Sequence, residues 1–299
     1  MIAGKCPQCG HALQIPAELE SFSCMYCGAR LTQQQLQTPQ EATAVSEDAQ
    51  AEYYAHAVSR LAWCITNFRG YQKKILRDVF ADAFDVYEAG CAPVIAELSR
   101  GVPEERQTEL LERAAETFLQ ELAAGWKGKG DMEDEKIILA VFFVPMVRKQ
   151  QLPVSEEFVS IVQKKWVERY PKSPFYLGDY ESITGGFRKK FLGLCFITTA
   201  VCQELGKPDD CEELTAFRAF RDGYLMKQPD GRALIEEYYN IAPGIVTCIN
   251  TCSDRHESYA KIRQTYLEPC YADLQAGRYE SCKTRYVQMV RDLEKQYLS

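Results

Sequence analysis

Histidine is nearly absent from this chain, and with it the commonest side chain of acid–base catalysis. Only His11, His56 and His256 occur among 299 residues, so a Cys–His or Ser–His pair has few ways to form. The local motifs that announce a reaction are missing too: no phosphate-binding glycine loop, no H-E-x-x-H helix and no G-x-S-x-G elbow. Long apolar runs are lacking. The longest, Ile137 to Val147, contains Pro145 and falls far short of the roughly 20 residues a membrane span needs. Positive charge is in deficit, with 35 Lys and Arg against 42 Asp and Glu and a net charge of −7. That balance disfavours broad nucleic-acid binding and adsorption to anionic membranes. Met1-Ile2-Ala3-Gly4-Lys5 runs into a cysteine pair without an apolar stretch, so no secretion signal is expected.

Cysteine, by contrast, is plentiful. The thirteen cysteines form an odd set in a large chain, which suits free thiols in a reducing cytoplasm better than a disulfide framework. Four of them stand at the N-terminus as Cys6-Pro7-Gln8-Cys9-Gly10 and Cys24-Met25-Tyr26-Cys27-Gly28. Each C-x-x-C turn aims two thiolates at one point, and the glycine that follows lets the turn close. Two such pairs predict one structural zinc ion held by Cys6, Cys9, Cys24 and Cys27. Four sulfur ligands leave no open coordination position for a substrate, so the zinc is read as structural. The residues between the pairs predict strands near 12–16 and 22–23 around a turn at 18–21. A protein partner is the expected target of this ribbon, because Glu18 and Glu20 offset Lys5 and Arg30.

The pattern downstream predicts a mainly α fold: a multi-helix body carrying a small N-terminal β zinc ribbon. The expected divisions are a ribbon over 1–32, a flexible Gln-rich linker over 33–50, a helical domain over 51–184 and a C-terminal helical module over 185–299. Tyr54, Val58, Leu61, Ile65 and Phe68 recur at helical steps, as do Leu110, Leu111, Phe118, Leu119 and Leu122. Further helices are expected near Met132, over 155–170, from Arg232, over 243–266 and from Tyr286. Gly185-Gly186 reads as a break, 207–210 as a helix cap and 228–231 as a turn.

A second constellation begins at Cys195-Phe196-Ile197-Thr198-Thr199-Ala200 and continues to Cys202. Phe220-Arg221-Asp222, Leu225 and Tyr238-Tyr239 with Ala242-Pro243 follow it. Over roughly 193–249 the chain resembles a family of bacterial C-terminal modules named for a Cys-Phe-Ile box. The resemblance implies a terminal sorting or attachment module of larger, often extracellular proteins. This chain departs from that setting: no secretion signal is visible, and residues continue to Ser299.

Cys195, Thr199 and Cys202 share a helix face. One reading makes a thiol there a nucleophile activated at a helix N-terminus. The preferred reading is close helix packing, with cysteine acting as a small hydrophobe. Cys248, Cys252 and His256 recur every four residues and form a weaker metal candidate, since one straight helix spaces the outer two about 12 Å apart. His256 is also the one base available to Cys195 or Cys252 as a catalytic pair. His11 is read as supporting a ligand cysteine or lying exposed, and His56 has no nucleophile near it in sequence. Arg188-Lys189-Lys190 reads as a solvated helix start. The sequence therefore favours a non-enzymatic zinc-ribbon adaptor on a helical scaffold. The alternatives are a thiol- or metal-dependent enzyme using the C-terminal cysteines, and nucleic-acid binding through the ribbon.

Overall fold

A computed structural model of the chain describes residues 2–16, 19, 21–36, 46–188 and 195–299. Half of the expected linker (37–45) lies outside the described residues, as do Glu18, Glu20, Lys189 and Lys190.

The N-terminal unit is two small hairpins. Strands β1 (Ile2–Lys5) and β2 (Ala12–Ile15) pair antiparallel from Ile2 opposite Ile15 to Lys5 opposite Ala12, and β3 (Ser21–Ser23) pairs with β4 (Arg30–Thr32). The hairpin expected between the two cysteine pairs is replaced by one across each pair. The knuckle is itself the turn. Cys6 N–H donates to His11 O and Gly10 N–H to Cys6 O, both at 2.8 Å, and Cys24, Ala29 and Gly28 repeat those bonds at the same distances. Gly10 and Gly28 take φ +76° and +71°, the left-handed region that a side chain would resist. A 3-10 turn at Gln33–Gln35 then seats Leu36 in the ribbon core, so the ribbon extends past the expected position 32.

The rest is helical, as the periodicity predicts. Helix α1 (Glu47–Leu61) starts before the expected Ala51 because Ser46 caps it, accepting from Ala49 N–H at 3.3 Å with Glu47 and Asp48 in the first turn. The short α2 (Trp63–Thr66) leads to α3 (Phe80–Gly101), which packs on α1, and α4 (Gln107–Gly125) follows. The 137–147 apolar run is buried on all sides within one long helix. That helix comprises α5 (Lys129–Ile138), a π-helical turn at Leu139–Phe143 and α6 (Val144–Lys149). Val144 N–H reaches back to Leu139 O across the wider turn, and Pro145, which has no N–H, follows directly.

Helices α7 (Ser155–Arg169) and α8 (Tyr180–Arg188) come next. Gly185 and Gly186 do not break α8. Asp179 starts it by accepting from Ser182 N–H at 2.7 Å, and the boundary drawn at 184–185 falls inside this helix. Helices α9 (Phe196–Glu204), α10 (Glu212–Gly223) and α11 (Gly231–Cys252) complete the region of the second constellation. The cap of α10 is Cys211, and Asp209 instead pairs with Arg218 at 2.8 Å. Pro243 begins no helix; it sits within α11. Beside it, Asn240 O and Oδ1 accept Arg77 and Asp78 N–H at 3.1 and 3.2 Å. Backbone packs so closely there that a Cβ on Gly244 would stand 1.9 Å from Ile75 O.

The helix expected over 243–266 is divided. Ser253 is extended, and Asp254 caps α12 (Arg255–Ile262) by accepting from Glu257 N–H at 3.0 Å. A second π-helical turn at Arg263–Leu267 joins α12 to α13 (Glu268–Gln275), and α14 (Tyr279–Tyr297) begins earlier than the expected Tyr286. One buried cluster runs from Ala57 to Leu298, while the ribbon has its own.

Asp273 ties α13 to α14, accepting from Arg278 Nε at 2.8 Å and Arg285 Nε at 3.0 Å. The Arg278 hydrogen bonds, with help from Arg285, hold its carboxyl below the usual carboxylate range. A carboxyl depressed in the folded state stabilises above its unfolded pKa of about 3.9 and loses that contribution as pH falls through the folded value. Asp273→Asn is therefore expected to flatten the acid limb of a stability-against-pH curve. Parallel limbs for the two proteins below pH ~4 would remove this role.

Candidate metal centre and the Cys195 cluster

The two knuckles face each other so that sulfur atoms of Cys6, Cys9, Cys24 and Cys27 all lie within 4.8 Å of one another. Cys6 Sγ is 3.8 Å from Cys27 Sγ, and Cys9 Sγ is 3.7 Å from Cys24 Sγ. Backbone N–H groups after each knuckle point at these sulfurs. His11 N–H serves Cys9, those of Cys27 and Tyr26 serve Cys24, and Ala29 N–H serves Cys27. Such bonds favour the thiolate form that a metal requires. Burial raises the Cys9 thiol; at Cys24, where burial also raises it, the N–H bonds prevail and the thiol is lowered. These four residues can hold a metal ion. His11 does not join them. Its ring stacks on Tyr26 with centroids 4.0 Å apart, linking one knuckle to the other.

Among the described residues, no other group of three Cys, His, Asp or Glu side chains converges in this way. The break at Ser253 separates His256 from Cys248 and Cys252, which share α11. Cys248 Sγ lies 3.9 Å from Tyr297 O and Cys252 Sγ 3.4 Å from Thr251 Oγ1, both buried, whereas exposed His256 faces Glu204 at 3.6 Å. His56 pairs with Glu97 at 2.7 Å.

The second constellation does come together. Cys195 is the N-cap residue of α9, at the position that the nucleophile reading requires. Arg221 Nη1 lies 3.9 Å from Cys195 Sγ and 3.2 Å from Tyr239 OH, while its Nε and Nη2 hold both carboxylate oxygens of Asp222 at 2.7 and 2.8 Å. Tyr238 OH accepts Ile197 N–H at 2.9 Å. Tyr286, which no motif flagged, adds its hydroxyl 3.3 Å from Tyr238 OH and 3.1 Å from Thr198 Oγ1.

Electrostatics work against Cys195 or Cys202 as a primary nucleophile. Burial pushes Cys195 up to about 11 even though Arg221 and Arg218 pull it down. Burial, with Glu213 and Cys211, pushes Cys202 up to about 12. The cavity over Cys195 measures about 60 Å³, room for a few waters and not for a metabolite.

A further cluster was invisible in sequence because Ser173 stands 37 residues from Lys136 and 40 from Glu133. Buried Lys136 bonds Ser173 Oγ at 2.7 Å and Glu133 Oε2 at 2.6 Å, and Ser173 Oγ donates to Glu133 Oε1 at 2.7 Å. The carboxylate and hydroxyl compensate the buried ammonium. Among the described residues, no helix is long and apolar enough to cross a membrane. Compared with family models, curated proteins and solved structures, the chain has no match.

Proposed function

We propose that Cys6, Cys9, Cys24 and Cys27 bind one structural zinc ion, and that the resulting ribbon recognises a protein partner while the helices act as its scaffold. The sulfur geometry carries the zinc reading. A tetrahedral ion with Zn–S bonds of about 2.3 Å has sulfur–sulfur edges of about 3.8 Å; two of the six edges here are 3.7 and 3.8 Å, and all lie within 4.8 Å. Zinc bound by four thiolates would close the site to substrate, which favours a structural over a catalytic role. Exposed Met25 and Tyr26 at the tip of the second knuckle support the recognition reading, since adaptable sulfur and aromatic side chains suit protein contacts.

Native mass spectrometry of the purified chain tests the metal directly. One zinc per chain, absent from Cys24→Ser, is the expected result; a different metal, or none, would overturn the zinc assignment. For recognition, Met25→Ser, which leaves the His11–Tyr26 stack in place, should keep its metal yet bind a captured partner at least about 10-fold more weakly, the effect of losing an interface anchor. Undiminished binding would take the contact away from this knuckle. A second reading, thiol chemistry at Cys195, has the nearby Arg221 in its favour. It requires Cys195 to alkylate at neutral pH faster than every other thiol of the helical body, and slow labelling there would end it.

A further inference from the structure

Helix α9 ends in a turn that fixes the position of Cys202. Gly206 adopts φ +67°. Its N–H donates to Gln203 O at 3.0 Å, and Lys207 N–H donates to Cys202 O at 2.9 Å, the paired bonds of a Schellman stop. Pro208 keeps the helix from resuming, and Cys211 N–H closes a further turn onto Pro208 O at 3.1 Å. Cys211 thereby becomes the N-cap residue of α10, its carbonyl receiving Thr215 N–H at 3.0 Å. Two side-chain ties brace the connection: Lys207 Nζ to Glu213 Oε2 at 2.5 Å, and Arg218 Nη2 to Asp209 Oδ1 at 2.8 Å. Cys202 Sγ and Cys211 Sγ consequently stand 4.0 Å apart, in contact and about 2 Å beyond a disulfide bond length.

Among the adjoining thiols of the helical body, access distinguishes this pair. Cys64 adjoins Cys91, and Cys270 adjoins Cys282, but all four are fully buried. Cys211 is half-buried and Cys202 buried. One member thus lies at the edge of the core and the other inside it, the pairing that suits an attacking thiol and a resolving thiol.

We propose that Cys202 and Cys211 form a redox-active dithiol, a modification site whose co-substrate is a hydroperoxide. Cys211 Sγ attacks a peroxide oxygen. An S–O bond forms, the O–O bond breaks, and the leaving oxygen departs with the thiol proton as water or an alcohol. Cys202 Sγ then attacks Cys211 Sγ. The S–S bond forms, the S–O bond breaks, and the hydroxyl leaves with the Cys202 proton as water. The dithiol gives up two electrons and the peroxide takes them. The product ties the last turn of α9 to the cap of α10, and so ties the helix that begins at Cys195 to the helix that carries Arg221.

The test exposes the folded, full-length protein to one equivalent of hydrogen peroxide, alkylates the remaining thiols and maps peptides without reduction. Cleavage after Glu204 separates the two cysteines, and cleavage after Phe196 removes Cys195 from the same fragment. The expected product is a Cys202–Cys211 cross-linked peptide that dithiothreitol dissolves, formed before any link between the buried pairs. In Cys202→Ser, one equivalent should leave Cys211 as its sulfenic acid and a second should carry it to the sulfinic acid, because no thiol is left to resolve it. Recovery of both cysteines alkylated in oxidised wild-type protein would overturn the proposal. So would a cross-link that appears only after guanidinium unfolding, or Cys211 reaching the sulfinic acid with Cys202 intact.

Discussion

Withdrawal of the metal is expected to unfold residues 2–36 and to leave the melting of the helical body where it was. The buried core of the ribbon consists of Cys6, Leu13, Ile15, Cys24, Leu31 and Leu36, and two of those six belong to the proposed metal site. Two-stranded hairpins with so little apolar surface are not stable alone in water. Structural zinc supplies roughly 10–16 kcal/mol of apparent binding free energy in small domains, far more than the strands provide. Cys24→Ser, or a chelator, should therefore remove the protection of this segment from limited proteolysis. A calorimetric scan should still show the main transition, because the body's buried cluster starts at Ala57 and shares no residue with the ribbon's. A drop of the main transition by many degrees would show that the two cores melt as one.

Phe142→Ala should produce the largest loss in the body. Phe142 is fully buried in the π-helical turn of the central helix. Its ring centroid lies 5.4 Å from Tyr71, 5.2 Å from Phe80, 6.2 Å from Phe84 and 5.5 Å from Tyr87. Those neighbours come from α3 and from the segment before it, so one ring joins elements that are distant in sequence. Removing it costs the transfer free energy of the side chain, the cavity left behind and several aromatic contacts, about 3–5 kcal/mol in all. For a domain of this size that is a fall in Tm of roughly 6–20 °C. Val86→Ala on the exposed side of α3 is the control and should stay within about 0.5 kcal/mol of wild type. Equal losses for the two variants would deny Phe142 its central place.

Comparison of expectation with structure separates two kinds of information. The mainly α character, the helices near 107–125 and 155–169, and the four convergent cysteines all follow from patterns that repeat within a few residues. Periodicity of apolar side chains and C-x-x-C-G spacing are local, and the backbone near them obeys local sterics. Boundaries fared less well for the same reason. Pro243 and Gly185-Gly186 look like breaks, yet α11 and α8 run through them: a neighbouring segment meets the backbone beside Pro243, where Arg77 N–H donates to Asn240 O, and Asp179 starts α8 ahead of its glycines.

The chain's own pattern thus decides that there is a ribbon, that four sulfurs can face one ion, and that helices build the remainder. Tertiary packing alone decides that Cys195 meets Arg221 and Tyr239, that Tyr286 joins them from α14, that Lys136 lies between Glu133 and Ser173, and that His256 stands apart from Cys248 and Cys252. Contacts between residues tens of positions apart depend on how whole faces fit, and no spacing rule in the chain encodes them.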